Sequence, residues 1–131
     1  MTPNDIKNAY KAIQELSGTV FPYKVSRGIA ALKKRLGEEL ETVAAMEMAL
    51  VEKYGGIVEP NGSVRVRGAN SQAFADEYND LMVQDDESIK LPVVDVSAYA
   101  DTLRISPGAV EALEGIVIFE EEAPTLWRKE E

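Results

Sequence analysis

Nine apolar residues constrain this chain more than anything else in it. Val25, Ile29, Leu32, Leu36, Leu40, Val43, Met46, Leu50 and Tyr54 step along the sequence by 4, 3, 4, 4, 3, 3, 4 and 4. That rhythm places one side of an α-helix in an apolar environment. The stripe ends at Gly55-Gly56, so the helix it predicts is about 30 residues and roughly 45 Å long. Gly37 interrupts it, at about 1 kcal/mol relative to Ala, and opens room for a close neighbour. A rod of this length poses a packing problem. A shorter preceding helix covers only half of the stripe, so later elements of the chain or a second copy must cover the rest.

The preceding helix is announced by Thr2-Pro3-Asn4-Asp5: a Thr cap, Pro in the first turn and an acid three residues after the cap. Ile6, Ala9, Tyr10, Ile13 and Leu16 form its apolar face, and Ser17-Gly18 ends it. After the long helix, Ile57-Val58-Glu59 and Val64-Arg65-Val66 flank Pro60-Asn61-Gly62-Ser63. The Asn-Gly pair predicts a β-hairpin. Alternation sets Val64 and Val66 on one face and Arg65 and Arg67 on the other, with Arg65 opposite or diagonal to Glu59. A third helix is predicted from about Ser71, a candidate cap, to Gln84, with Phe74, Tyr78, Leu81 and Met82 on its face. Asp85-Asp86-Glu87 stands where the helix dipole opposes it, so the last turn frays. The stretch from Ile89 to Tyr99 reads as an extended edge strand. Ser106-Pro107 starts a closing helix with Val110, Leu113 and Val117 on one face. The β-branched Ile116–Phe119 run equally suits a strand.

These signals describe an α+β domain that is mostly α, a long helical hairpin with a small β-hairpin or edge strand and a closing helix. It spans residues 1–123, with residues 124–131 as a tail. No run of about 18 apolar residues predicts a membrane span, and the first residues lack the basic-then-apolar order of a secretion signal. The expected setting is therefore cytoplasmic.

The chain has no cysteine and no histidine. That removes the thiolate nucleophile, the disulfide framework and the commonest general base and metal ligand. No phosphate-binding glycine loop and no nucleophile elbow is present either. The expectation is a non-enzymatic protein without a cofactor. Asp85, Asp86 and Glu87, with Glu120, Glu121 and Glu122, offer oxygen ligands for a divalent cation. Consecutive residues on a helix point apart, however, which favours solvated charge over a metal-assisted hydrolase.

Charge is distributed unevenly. Residues 1–67 carry ten Lys/Arg and eight Asp/Glu, a balance of +2; residues 68–131 carry four and fifteen, a balance of −11, which together give the net −9. The second half repels nucleic-acid phosphates and attracts basic surfaces. Direct nucleic-acid binding is not expected. The arginine hairpin and the basic side chains of the long helix, among them a Lys34–Glu38 pair, are expected to meet acidic residues of the second half in the same chain or a neighbouring copy. Trp127, between Leu126 and Arg128, is either a binding anchor or folded back on the domain.

Several stretches resemble one family. They are Lys53-Tyr54-Gly55 closing the long helix, Phe74 with Glu77 and Leu81 on the next, and Ile105-Ser106-Pro107 opening the last. In this order they are similar to a family of small acidic proteins of unknown function encoded by tailed phages and prophages. The resemblance covers nearly all of the chain. It implies a phage origin and a non-enzymatic role, and it brings no catalytic residues. The expected function is a protein-binding module for phage assembly or host takeover, homo-oligomeric in one form, in the infected bacterial cytoplasm or the virion. The alternative is an acidic nucleic-acid mimic that inhibits a host defence complex of the CRISPR or restriction type. The candidate partner-binding residues are Arg65, Arg67, Asp85, Asp86, Glu87, Glu120, Glu121, Glu122 and Trp127.

Overall fold

A computed structural model describes residues 1–120. Helix α1 (Pro3–Ser17) and helix α2 (Tyr23–Lys53) form an antiparallel pair. Strands β1 (Ile57–Val58) and β2 (Val64–Arg65) make the hairpin. Helix α3 (Asn70–Met82) follows. Strand β3 (Val94–Asp95), a 3-10 helix (Ser97–Thr102), helix α4 (Pro107–Ala112) and strand β4 (Val117–Ile118) complete the described fold. The fold is α+β and mostly α.

α1 begins as its sequence dictates. The Thr2 hydroxyl accepts from the Asp5 amide while the Asp5 carboxylate accepts from the Thr2 amide, both at 3.0 Å. This reciprocal box satisfies two of the amides left free at a helix start. α1 then lays Ile6, Ala9, Ile13 and Leu16, all at most 1% exposed, along α2. The Tyr10 ring lies over Gly37, where an added methyl would sit 3.6 Å from it, an ordinary contact. The close neighbour admitted by Gly37 is thus α1 of the same chain.

Two apolar clusters share α2. The larger joins Ile29, Leu32 and Leu36 to Ala9, Ile13 and Leu16 of α1, Phe21 of the connector, Val94 and Val96, Ala109 and Leu113 of α4, and Val117. The smaller joins Ile6, Val43 and Met82, with Leu40, Tyr78, Leu81 and Ile89 packed around them. α3 runs back along the far half of α2: Phe74 meets Tyr54 edge-on at 6.2 Å between ring centres, and Met82 reaches Val43. The apolar seam of the long helix is therefore covered within the chain, first by α1 and then by α3. Its far end also drifts: Met46 is 39% exposed, while Val51, off the predicted stripe, is buried.

Several local expectations are corrected. α3 starts with Ala69 in the capping position and no side-chain cap, not with Ser71, and it stops at Met82 before Gln84. The basic face of α2 forms an Arg35–Glu39 pair, not Lys34–Glu38. The extended stretch after Ile89 holds only a two-residue strand before the 3-10 helix. The closing helix is short. Ser106 caps it by accepting from the Ala109 amide, but Ile116–Phe119 leaves the helix, and Val117 and Ile118 pair in parallel with Val94 and Asp95. The strand alternative prevails because Val117 fills the core beside Val94 and Val96 in this geometry. No helix among the described residues is long and apolar enough to cross a membrane.

Candidate functional site

The hairpin stands at the far end of α2. Ile57 lies opposite Arg65 and Val58 opposite Val64. Gly62 provides the left-handed step of the turn, at φ 88°, a conformation that glycine adopts without a side-chain clash. The Ser63 amide donates to the Asn61 side chain at 3.0 Å, and the Glu59 amide donates to the Ser63 carbonyl at 2.7 Å. At the base the chain passes close to α2. A methyl on Gly56 would come within 3.0 Å of Val51 Cγ1 and 3.2 Å of Val66 Cγ2. The base is fixed by packing, while the arms project from the fold. Ile57, Val58 and Val64 are 52%, 47% and 40% exposed, in a position where a two-stranded ribbon has little apolar cover.

A groove of about 790 Å³ runs beside β2. Glu59, Pro60, Asn61, Ser63, Val64, Arg65 and Val66 form one side, and Ser71, Phe74 and Ala75 of α3 form the other. Neither Ile57 nor Val58 lines it, so the groove follows the free edge of β2. Arg65 reaches Glu59 at 3.1 Å, the diagonal pair that alternation predicts. Arg67 is exposed and, among the described residues, in no ion pair.

A cluster that the sequence does not announce holds α3 beside the hairpin. Tyr54 Oη donates to Glu77 Oε1 at 2.5 Å, and Lys53 Nζ donates to the same oxygen at 2.7 Å. The hydrogen bond from Lys53, then that from Tyr54, holds the Glu77 carboxyl below its ordinary range. The same hydrogen bond to Glu77, with desolvation, pushes the Tyr54 phenol up. Phe74 and Tyr78 stack at 6.0 Å. Further along α3, Lys7 Nζ donates to Glu47 at 3.1 Å and to the Tyr78 hydroxyl at 3.2 Å. Burial works against the Lys7 charge, but the hydrogen bonds to Tyr78 and Glu47 outweigh it, and its pKa is raised. Lys53-Tyr54 ends the long apolar stripe, and Phe74 and Glu77 sit on the next predicted helix. Their meeting could not be read from spacing alone.

The other predicted site residues lie elsewhere. Asp85, Asp86 and Glu87 follow the opposite end of α3, where Asp85 pairs with the Met1 amine and Asp86 accepts from the Ser88 amide at 2.9 Å and from its hydroxyl at 2.5 Å. Those two hydrogen bonds, the side-chain one first, lower the Asp86 pKa. The three carboxylates do not converge, and among the described residues no group of three or more acids is arranged to hold a metal ion. Glu120 is exposed just after β4, while Glu121, Glu122 and Trp127 lie outside the described residues. The expected meeting of the arginine hairpin with the acidic half is not formed among the described residues. Arg65 stays on its own hairpin, and Lys53–Glu77 and Met1–Asp85 are the ion pairs that link the halves.

No family model, no curated protein and no solved structure matches this chain.

Proposed function

We propose that the chain is a non-enzymatic protein-binding module of phage origin, serving assembly or host takeover, and that it engages its partner through the hairpin end. One observation carries this reading. Apolar Ile57, Val58 and Val64 are left half-exposed beside the exposed Arg67, which forms no ion pair among the described residues, on a ribbon whose base is tightly packed. Exposed apolar groups with a polar rim are the usual composition of an interaction surface. The cover of most of the α2 seam within the chain supports a different protein as the partner of this reading. The test is affinity capture from bacterial lysate with the wild-type chain and a Val58→Glu/Val64→Glu double variant. Proteins held by the wild type and lost by the variant are the expected outcome; an identical captured set would overturn the reading.

The exposed acids of α3 and the segment after it, Asp76, Asp80 and Glu87 among them, favour a second reading: an acidic decoy for a nucleic-acid-binding host defence complex. Such binding weakens steeply with salt. Capture of that complex at undiminished strength in high salt would eliminate it.

A further inference from the structure

The groove beside β2 has the build of a strand-addition site. The Glu59-to-Ser63 bond fixes the bonded register of the ribbon. Two residues further along each arm, Ile57 and Arg65 are again a bonded pair. In an antiparallel ladder the residues between bonded pairs turn their amides outward. Val64 therefore presents its N–H and C=O groups at the free edge of β2, and the same alternation carried one step past the strand gives Val66 the same orientation. The groove lies along that same edge, and α3 forms its opposite wall through Ser71, Phe74 and Ala75. An open strand edge faced by a helix receives an extended chain as an additional strand, with main-chain bonds supplying affinity and alternate side chains supplying selectivity. A two-stranded ribbon also gains most from a third strand, since it is marginal alone.

Charge and alternation identify the occupant. Along β2 and the two residues that follow it, alternation sets Val64 and Val66 on one face and Arg65 and Arg67 on the other. A strand laid beside them meets aliphatic and cationic neighbours in alternation. The complementary side chains are aliphatic toward Val64, Val66 and Phe74, and acidic toward Arg65 and Arg67, since opposite charges pair well across strands. Building on the module reading above, we propose that this groove binds an extended segment of a partner protein that alternates aliphatic and acidic residues, as a third strand on β2.

The probe is an acetylated, amidated and fluorescently labelled heptapeptide alternating Val and Glu, measured by fluorescence anisotropy and by amide NMR of the intact chain. Two further peptides complete the set. One has the same composition in two blocks, and the other is the alternating peptide N-methylated at every second residue, on the edge that faces β2. The expected result is binding of the alternating peptide, with amide shifts at Val64, Val66 and Phe74. N-methylation should weaken it about tenfold or more, as the loss of main-chain bonds predicts. Arg67→Glu should weaken it severalfold, and this exposed position leaves the fold intact. The proposal is overturned if the alternating peptide does not bind, if the block or N-methylated peptide binds equally well, or if the shifts map away from β2. In each of those cases the lysate capture still decides the module reading separately.

Discussion

The two ends of α2 are built on different terms. At the near end, Leu32 and Leu36 are fully buried among α1, α4 and the β3–β4 pair. At the far end the helix is packed on fewer sides. Val51 and Val43 are buried, Tyr54 is clamped to Glu77, and the ribbon beyond projects. The first end carries stability and the second carries exposed surface. One amphipathic helix serves both because its seam requires cover but does not specify which element supplies it.

Substitutions can break or sharpen this contrast. The largest effect is expected at the near end. Leu36→Ala should cost about 2–5 kcal/mol, the range for emptying a closed core site, measured by chemical denaturation. At the far end, Gly62→Ala should cost about 1–2 kcal/mol for forcing a side chain into the left-handed region. That loss should appear as faster hydrogen exchange in the hairpin, with the near-end amides unmoved; equal loosening at both ends would make the two regions one cooperative unit. Gly37→Ala should instead stabilise by up to about 1 kcal/mol, since the new methyl meets Tyr10 at an ordinary 3.6 Å. A lower melting temperature would show that α1 cannot accommodate it.

A pH prediction is confined to the clamp. The folded Glu77 carboxyl titrates below its ordinary 4.5. Its contribution is therefore present above that value and is lost as pH falls through the depressed one. Acidification should loosen α3 and the hairpin before the near-end core. Glu77→Gln should remove this step from the pH profile of local hydrogen exchange. The smallest effect on global stability is expected from Val58→Glu/Val64→Glu: it sets two like charges directly opposite each other on the ribbon, so it should loosen the hairpin by about 1 kcal/mol or less and leave the near-end amides unmoved.

The helical frame was legible because its signals are local. The Thr2–Asp5 box, the Asn61-Gly62 turn and the Ser106 cap each depend on residues within four positions of one another. The apolar stripe gave the length of α2 but not what covers its far half. That answer depends on Phe74, Tyr78 and Met82 returning antiparallel along it, a long-range fact with no periodicity of its own. Ile116–Phe119 was ambiguous for the same reason: β-branching permits both conformations, and the pairing with Val94 and Asp95 decides. At the candidate site, Arg65 and Arg67 were visible as charges. The exposure of Ile57, Val58 and Val64 was not, because apolar strand residues read as buried until a sheet is seen to have only two strands.

The uninterrupted run of α2 from Tyr23 to Lys53 also makes the molecule a ruler. A dye at Val20, which is 97% exposed, and a second at the ribbon tip would stand on either side of a helix roughly 46 Å long. That scale is well placed for energy transfer. Anything that bends the rod or peels the ribbon from its base would register as a change in transfer efficiency.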